Sequence, residues 1–535
     1  METKKISISI FQIFIIVVII IALVVVAIVV KDLIKKNTEE PVKNVFLGTG
    51  TKEDAYQISK IEDLINFSIN LNQGETYKNQ YFILNNSIDF QDDNSYLNPQ
   101  DTSFGDLNND GKVDGIKQEL TTGQVFIKVG SDNEKNNQNN EPIFEGNFNG
   151  NGKIISNLII DVPAEQINDS IGLFYNNQGI INDLKVVANI VIPNVSEKTA
   201  SIGIIAGKNS GTIQKCKVEG EIIANTENVN NLAIAGVVGE NTGNILDSSS
   251  DVNISSNQLK AGITAKNTKI DDIENSGEIT NCTNNGTIVE TENTDYYTAG
   301  IVAINEKGKI TSCTNTGRLE AKLVAGVVGK TTGDVVACTN TGSISNLKIT
   351  SNDDEITGGI AGTLEDANIE NCKNGKEGRI KGLTYIGGIV AQNKGYISLC
   401  TNEGELSKID DVKANTIYIG GISGVNFSGS KTITSKNYGN INSKEDTLIM
   451  MGGICGNLEA NSIIDYCENN AFVDSYGRKI HRNLDTTKKC NSCKTGGGGK
   501  AIRSATGGEL FIGLIYGNAP GIEEVEILEI EGEDE

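Results

Sequence analysis

The sequence contains no tryptophan, and aromatic residues make up only 5% of the chain. Sugar-binding grooves usually rely on aromatic side chains as platforms, so this composition disfavours a tight carbohydrate site. The chain also has a single histidine, His481. A serine–histidine–aspartate triad or a Cys/His zinc centre would therefore depend on this one side chain.

The sequence motifs of common catalytic sites are missing as well. No H-E-x-x-H, no G-x-S-x-G and no phosphate-binding loop occurs in the chain. Paired carboxylates are present in Asp353-Asp354-Glu355 and Asp410-Asp411, but such runs are typical of solvated loops. We therefore expect that the protein is not an enzyme. A β-helix enzyme that uses carboxylates along one face on a glycan is the alternative.

Basic residues are scarce relative to acidic ones. Lysine and arginine number 46 against 69 aspartates and glutamates, which gives a net charge of −23. This charge disfavours nucleic acid and anionic lipid as partners of the main body of the chain. It favours solubility and weak cation binding.

A short motif recurs about every thirty residues, beginning near Gly203. It reads Gly-Ile/Val-x-Gly/Ala, then Gly-x-Ile/Val, then Cys-x-Asn-x-Gly-x-Ile/Leu, and one copy runs from Gly326 to Ile344. A fixed period this short is typical of stacked supersecondary units. Helices are disfavoured, because glycine and asparagine are poor helix formers and occur throughout the repeats.

The motif has the period of a β-strand. Its residues occur at every second position, so they face the same side of a strand: Cys338, Asn340, Gly342 and Ile344. Stacked copies would form a column of small residues, an asparagine ladder and an aliphatic column. We expect the glycine to supply the positive φ of a sharp corner, and a bend upstream of Cys338. The pattern predicts an all-β fold, a parallel β-helix or β-solenoid of about ten coils.

The arrangement Gly-Ile-x-Gly-x-Asn-x-Gly-x-Ile-x-x-Cys-x-Asn-x-Gly resembles the GLUG repeat of bacterial surface and secreted proteins. Gly48–Ile58, followed by Tyr81–Phe90, resembles the segment that often precedes such repeats, and Phe144–Ile155 resembles the first full coil. The resemblance covers roughly residues 45–475 and implies a β-solenoid. The family includes adhesin-like proteins and noncatalytic parts of large secreted enzymes, so it implies no particular activity.

The N-terminal region predicts a membrane anchor. Residues 6–30 form an almost unbroken apolar run, which as a helix would span about 37 Å, enough for a bilayer core of about 30 Å. No small-x-small cleavage site followed by polar residues is evident, so an uncleaved single-pass signal-anchor is favoured over a removed signal peptide. Lysines flank the run on both sides and leave its orientation open. We expect the bulk of the chain to be extracellular, where the resembled repeats usually work.

The chain divides into seven segments by composition. They are a cytoplasmic tip (1–5), a transmembrane helix (6–30), a polar tether (31–44), a segment with a calcium-loop pattern (45–143), the repeats (144–475), a basic C-x-x-C and Gly-rich break (476–500), and a terminal strand with an acidic tail (501–535).

Ten cysteines would ordinarily suggest disulfides in an exported protein. Seven occupy the same motif position: Cys216, Cys282, Cys313, Cys338, Cys372, Cys400 and Cys467. Stacked coils hold equivalent Cβ atoms about 4.8 Å apart with parallel vectors, which suits a disulfide poorly. A buried structural ladder is therefore favoured over metal or disulfide roles, alongside an asparagine ladder that includes Asn315, Asn340 and Asn402. Cys490 and Cys493 are candidates for a local disulfide, with half of a zinc site as the alternative.

The clearest pattern of a metal site is D-x-N-x-D-G-x-x-D. Its ligands would be Asp106, Asn108, Asp110, Lys112 through its backbone carbonyl, and Asp114. Alternating carboxylate and amide oxygens can wrap a calcium ion around a glycine turn. The glutamate expected at the twelfth position is replaced by Lys117, so this is not a complete EF-hand loop. Calcium binding and an ordinary Asx-rich turn are the two interpretations.

These observations favour a membrane-anchored, surface-exposed bacterial repeat protein that acts as an adhesin-like interaction protein or a structural stalk. Loops such as Ser351–Glu355 and Ser407–Asn415 would contact an extracellular glycan or protein. A carbohydrate-binding or carbohydrate-cleaving β-helix is the alternative, and a passive spacer is a third interpretation.

If the Asp106–Asp114 segment binds calcium, chelation should lower the melting temperature of the protein, because a bound ion stabilises only the folded state. Asp110→Ala should abolish the difference between the chelated and calcium-loaded samples. Thermal unfolding of both forms tests this, and a chelation effect that persists in the variant would place the ion elsewhere.

Overall fold

The computed structural model describes residues 46–90, 142–161, 169–192, 199–224, 231–347, 355–409, 416–443 and 448–471, together with short strands between 473 and 518. Three parallel sheets run along these residues, and each coil contributes in turn to sheet 1, sheet 2 and sheet 3. Ten strands of sheet 1, from Asp169–Ile171 to Leu448–Gly452, are joined by nine successive parallel pairings. The prediction of an all-β parallel β-solenoid is confirmed, with about nine full turns.

Sheet 1 is the sheet that each coil enters first. Its strands are Asp169–Ile171, Thr199–Gly203, Asn231–Ala235, Leu259–Ala261, Tyr297–Ala299, Leu323–Ala325, Ile356–Gly358, Tyr385–Gly387, Thr416–Gly420, Leu448–Gly452, Arg482–Asn483 and Leu510–Gly513.

Sheet 2 takes two short strands, or one long strand, from most coils. Its strands are Tyr56–Ile58, Tyr81–Leu84, Ile143–Phe144, Asn147–Asn149, Phe174–Asn177, Ile180–Asn182, Ala206–Asn209, Thr212–Gln214, Val238–Asn241, Asn244–Leu246, Thr264–Thr268, Glu278–Thr280, Val302–Glu306, Lys309–Thr311, Val328–Thr331, Val335–Val336, Ala361–Glu370, Val390–Ser398, Ser423–Asn426, Lys431–Ile433, Cys455–Leu458, Ile463–Asp465, Cys490–Asn491 and Tyr516–Asn518.

Sheet 3 contains the Cys-x-Asn-x-Gly-x-Ile part of the motif. Its strands are Ile88–Asp89, Ile154–Asp161, Lys185–Ile192, Lys217–Ala224, Ser249–Ser256, Thr283–Asn284, Ile288–Glu290, Thr314–Asn315, Leu319–Glu320, Thr339–Asn340, Ile344–Ser345, Lys373–Asn374, Ile380–Gly382, Thr401–Asn402, Leu406–Lys408, Lys436–Asn437, Ile441–Ser443, Glu468–Asn469, Val473–Ser475, Lys494–Thr495 and Ala501–Ile502.

A helix that the repeat pattern does not predict lies beside the first coils. Helix α1 (Ile61–Asn72) begins where the backbone N–H of Ser59 donates to Oδ2 of Asp63 at 2.9 Å, an N-terminal capping contact. Its apolar face buries Leu64 and Phe67, and Phe67 lies 4.8 Å from Phe82 between ring centroids. The helix thus packs on an aromatic cluster at the start of the solenoid core. Within the described residues, no helix is long and apolar enough to cross a bilayer.

The corner between sheets 2 and 3 is turned by one residue in the left-handed region. In the coil of Val335 this residue is Ala337, with φ 54°, directly before the buried Cys338. Equivalent positive φ values recur at Asn281, Asn371 and Thr434, also directly before the cysteine column. The predicted bend is therefore present.

The role assigned to the motif glycine was wrong, because Gly342 is not among the residues with positive φ. A Cβ atom at Gly342 would instead lie 2.0 Å from the carbonyl oxygen of Gly317 and 2.7 Å from Nδ2 of Asn315. Glycine is required there for close approach to the preceding coil, and the corner itself is turned upstream.

The first glycine of the motif also allows a close approach, but across the interior of the coil. A Cβ atom on Gly326 would lie 2.2 Å from the carbonyl oxygen of Gly359 and 2.6 Å from Cγ of Asn340. The corner between sheets 1 and 2 therefore reaches in towards the asparagine ladder of sheet 3. Apolar side chains pack on either side of this contact, and the cluster that includes Ile386, Leu406 and Ile419 is separate from the main core.

We expect Gly326→Ala to destabilise the fold by about 2–4 kcal/mol, since the added methyl group meets backbone and amide atoms that cannot move independently. Gly375→Ala is the matched control, because a Cβ atom there would first meet the Cγ2 atom of Thr341 at 3.1 Å. Urea unfolding of both variants measures the difference. Equal losses would contradict the close-approach explanation.

Candidate interaction surfaces

The seven cysteines of the motif column are all buried, and the eight cysteines whose side chains are described are free thiols. Successive members contact one another through the backbone, as the N–H of Cys313 donates to Sγ of Cys338 at 3.4 Å. Ser248 replaces cysteine in the same column and accepts the N–H of Cys216 at 3.1 Å. Burial raises the pKa of Cys216 to about 12, so this thiol is neutral and unreactive at neutral pH.

The asparagine column forms a continuous ladder of side-chain amides. Nδ2 of Asn315 donates to Oδ1 of Asn340 at 2.8 Å, and each later step to Asn469 is 2.8 or 2.9 Å. Asn402 belongs to this ladder, and Nδ2 of Asn340 also donates to the carbonyl oxygen of Gly342 at 3.0 Å. Both amide protons are therefore used, one between coils and one within the coil.

A second asparagine ladder lies in sheet 2 and was not predicted as a column. Hydrogen bonds of 2.7 Å from Nδ2 to Oδ1 link its members at every step, from Asn177 through Asn209, Asn241 and Asn267 to Asn305. Its signal is a small residue two positions before an asparagine, as in Gly207-Lys208-Asn209, Gly239-Glu240-Asn241 and Ala303-Ile304-Asn305, although some coils depart from it, as at Thr331. The two ladders support two different corners of the coil.

Several predicted sites lie outside the described residues. They are the apolar segment 6–30, the calcium-loop residues Asp106–Asp114, His481, Cys493 and the carboxylates of Asp353, Asp354, Asp410 and Asp411. Cys490 is described only as part of a strand paired with Ile464 and Asp465. In the part of the chain that is described, no group of three or more His, Cys, Asp or Glu side chains could hold a metal.

The loops proposed to make contacts contain buried residues where the structure describes them. Glu355 is only 4% exposed and accepts a hydrogen bond from Oγ1 of Thr384 at 2.7 Å. Lys408 is also 4% exposed, and its ammonium group donates to the carbonyl oxygen of Ile409. Each of these two side chains satisfies polar groups where the chain leaves sheet 3 or enters sheet 1, so any contact of these loops with a ligand would fall to their other residues.

The outer face of sheet 1 carries an apolar column that we call the outer strip. The register aligns its members in seven successive coils: Leu259, Tyr297, Leu323, Ile356, Tyr385, Tyr418 and Met450. Tyr297, Tyr385, Tyr418 and Met450 are half-buried, while the other members are nearly buried. The rings of Tyr385 and Tyr418 stack at 5.3 Å with an interplanar angle of 10°.

The outer strip lies in a concave corner of the coil. A Cβ atom at Gly329 of sheet 2 would lie 2.7 Å from Cβ of Tyr297, and one at Gly362 would lie 3.2 Å from Cγ2 of Ile356. Small residues on the outside of sheet 2 therefore let that sheet fold back along the strip. The corner partly shelters apolar side chains that would otherwise be fully exposed.

In the sequence, the outer strip is marked by an apolar or tyrosine residue two positions before the two consecutive glycines at the corner between sheets 1 and 2. Tyr385-Ile386-Gly387-Gly388 and Tyr418-Ile419-Gly420-Gly421 repeat this spacing. The low overall aromatic content obscured it, because only three of the 14 tyrosines, Tyr297, Tyr385 and Tyr418, belong to the strip.

A nine-residue insertion, Lys269–Gly277, joins two strands of sheet 2 and is called the 269–277 loop. It overhangs a recess of about 350 Å³ that is also lined by Lys309 and Asp334 of the following coils. Ile270 and Ile273 are 39% and 55% exposed on the loop. Exposed apolar side chains on a projecting loop form the second candidate surface.

Charged residues are also buried inside the coils, near the corner between sheets 3 and 1. Lys260 is fully buried, and its Nζ donates to the carbonyl oxygen of Gln258 at 3.0 Å. Glu290 is 2% exposed and accepts the backbone N–H of Lys322 at 2.6 Å as well as two bonds from Thr294. Burial lowers the pKa of Lys260 to about 8, while burial raises the pKa of Glu290. Neither side chain was predicted, because both lie at positions that the repeat pattern assigns to apolar residues.

No known protein-family model matches the chain, and a search of curated proteins also finds no match. The resemblance to the GLUG repeat therefore stays a prediction from the motifs. One solved structure, described as "a putative immunoglobulin A1 protease from Bacteroides ovatus", aligns with 14% sequence identity over 87% of this chain and 86% of that chain. Its TM-score is 0.24, which is too low to support an argument about fold or activity.

The stability of the protein should rise as the pH increases from about 8 to about 10.5 through the contribution of Lys260. Its folded-state pKa lies below the ordinary value of 10.5, so the unfolded chain binds more protons in this window. Below pH 8 both states are protonated and the full penalty of burying the ammonium group, on the order of 3 kcal/mol, is present.

Lys260→Met should therefore stabilise the protein at pH 7 by about 1–3 kcal/mol and flatten its pH dependence between 8 and 10.5. Lys266→Met is the control in the same coil, because Lys266 is partly exposed and pairs with Glu240 at 2.8 Å. Urea unfolding at several pH values measures both effects. A destabilised Lys260→Met variant would show that the charge of Lys260 is needed within the core.

Proposed function

We propose that this chain is a surface-displayed β-solenoid that acts as an adhesin-like interaction protein and structural stalk, not as an enzyme. In this proposal residues 6–30 anchor it in a membrane with the repeats outside the cell. The ligand would be an extracellular protein or glycan bound along the solenoid, and calcium could contribute through Asp106–Asp114.

The observation that carries the proposal is the outer strip. A passive spacer needs polar outer faces, whereas apolar and tyrosine side chains here follow one another over seven coils of the same outer face. Part of this column is open to solvent at Tyr297, Tyr385, Tyr418 and Met450, and apolar patches at a protein surface are typical of interaction sites. Tyrosine adds a large apolar area and a hydroxyl group at little cost in side-chain entropy.

The ladders support the stalk part of the proposal. Buried amide-to-amide bonds of 2.7–2.9 Å connect neighbouring coils at two corners, and breaking one would leave polar groups unpaired inside the core. The register of the outer strip is thereby fixed relative to the scaffold. A preorganised surface loses less conformational entropy on binding.

The stacking of Tyr385 on Tyr418 bears on the glycan alternative. Their ring planes are nearly parallel and stacked along the strip, so each covers one face of the other. The edges and hydroxyl ends are then the parts turned towards a ligand, whereas sugar rings usually stack on aromatic faces. This arrangement favours a protein ligand over a glycan along this part of the strip.

We expect Tyr385→Ser combined with Tyr418→Ser to weaken binding to the outer strip by at least about tenfold, because these two stacked rings are its half-buried aromatic members in adjacent coils. The full chain in detergent would be tested on an array of glycans and extracellular-matrix proteins, with and without calcium. Tyr438→Ser is the control, since Tyr438 is 46% exposed and directly follows the sheet 3 strand Lys436–Asn437, away from the strip.

Binding that is lost in the double variant and kept in the control would support the proposal. Equal binding by all three proteins would contradict it, and so would the absence of any bound ligand. Release of new reducing ends from a bound glycan would instead favour the carbohydrate-cleaving alternative.

A further inference from the structure

The 269–277 loop is an exception to the short connections of sheet 2. Elsewhere in the described coils the two strands of a coil are joined by a few residues, as between Asn241 and Asn244 or between Thr331 and Val335. A solenoid coil closes without such an insertion, so the loop is not required by the stacking of coils. Insertions of this kind commonly carry binding residues.

Hydrogen bonds hold the loop in one conformation. The backbone N–H of Ile270 donates to Oγ of Ser276 at 2.9 Å, and that hydroxyl donates to the carbonyl oxygens of Ile270 and Ile273 at 3.1 Å. The N–H of Lys269 donates to the carbonyl oxygen of Glu306 in the next coil at 2.9 Å. Nζ of Lys307 lies 2.9 Å from Oδ2 of Asp271. Both ends and the centre of the loop are thus tied to the scaffold.

The same contacts leave two isoleucines in solvent. The N–H of Ile273 donates to the carbonyl oxygen of Ile270 at 3.1 Å, so the two residues flank one tight turn. Ile273 is 55% exposed, the highest exposure of any isoleucine in the described parts of the chain. A rigid turn that exposes a pair of isoleucines can bury them against a partner with little loss of conformational entropy.

The surroundings of the turn are acidic. Six carboxylates belong to the loop, its recess and the adjoining strands, those of Asp271, Asp272, Glu274, Glu278, Glu306 and Asp334. Three ammonium groups lie among them, those of Lys269, Lys307 and Lys309. The local field is therefore negative, in keeping with the net charge of the chain. Such a field attracts cationic partners and repels anionic membrane surfaces.

We infer that the 269–277 loop is a docking element for a polypeptide segment that combines apolar side chains with flanking lysine or arginine residues. The apolar groups would cover Ile270 and Ile273, and the basic groups would pair with Asp272 and Glu274 at the rim. This inference rests on the proposed interaction function and adds a second contact, on sheet 2, to the outer strip of sheet 1.

The test is selection of a random phage-displayed peptide library on the full chain held in detergent. Enriched peptides would be synthesised and their dissociation constants measured for the wild type, for Ile270→Ser combined with Ile273→Ser, and for Asp272→Asn combined with Glu274→Gln. Ile180→Ser combined with Ile463→Ser is the matched control, because these residues are 40% and 39% exposed on sheet 2 away from the loop.

We expect a class of enriched peptides with net positive charge and apolar residues. Their affinity should fall at least about tenfold in the isoleucine variant, fall in the carboxamide variant and with added salt, and stay unchanged in the control. Circular dichroism of each variant would establish that the solenoid remains folded.

The inference is overturned if no enriched peptide depends on the isoleucine pair, or if the dependent peptides are acidic or insensitive to salt. Either result leaves the proposed function intact, because that proposal is tested separately through Tyr385 and Tyr418. The opposite result can also be distinguished. If the enriched peptides depend on the loop but the tyrosine variant binds the array as the wild type does, the docking element is supported and the proposed binding role of the outer strip is contradicted.

Discussion

The buried amide ladder of sheet 3 is the interaction on which the remaining geometry depends. From Asn284 to Asn402 each asparagine of the ladder donates once to the next coil and once to its own coil, as Asn340 does to Asn374 and Gly342. A slip of one residue would replace the amide by a neighbouring side chain and leave two buried donors without acceptors. The ladder therefore fixes the register of the coils, while length differences between coils are confined to connections.

The ladder also explains why glycine recurs in the motif. The asparagine side chains occupy the middle of the coil, so the residue that faces them across the interior must lack a Cβ atom, as at Gly326 and Gly388. Bringing that corner inward makes the outside of sheets 1 and 2 concave. The concave corner that holds the outer strip is thus a geometric consequence of packing against the ladder. The tyrosines are partly buried in this corner.

Strand parity alone was enough to predict which motif side chains are buried. Cys338, Asn340 and Ile344 face the interior as their alternation requires. The prediction failed where the backbone conformation had to be known. Gly342 was assigned a positive φ because glycine favours that region, but the corner uses Ala337 and its counterparts, including Thr434. Glycine has several physical uses, and its presence alone does not distinguish a turn from a close approach.

Other features were missed for a different reason. Helix α1 carries a helical pattern of apolar residues, Ile61, Leu64, Ile65 and Leu71, preceded by Ser59, but this pattern lies outside the repeats and shares none of their residues. The outer strip was missed because the overall aromatic content does not show where aromatic residues lie. A few tyrosines aligned on one face of the solenoid barely change that content. Lys260 and Glu290 could not be predicted, because a charged residue at an inward position looks like a departure from the repeat.

Such departures mark the places where the solenoid admits insertions. When the chain leaves a sheet to form a loop, its backbone N–H and C=O groups lose the hydrogen-bond partners that the sheet supplied and must find others. Glu290 accepts hydrogen bonds from the backbone N–H groups of Thr294 and Lys322 at either side of one connection. At another connection, the side-chain amide of Asn346 donates to three carbonyl oxygens. The hydroxyl of Ser276 closes the 269–277 loop. A buried polar side chain that breaks the repeat is therefore a reason to expect a loop beside it, because the same side chain compensates the backbone that the loop releases. In a solenoid whose stacked faces are committed to their neighbours, these loops and the concave outer strip are the parts that would distinguish one ligand from another under the proposed function.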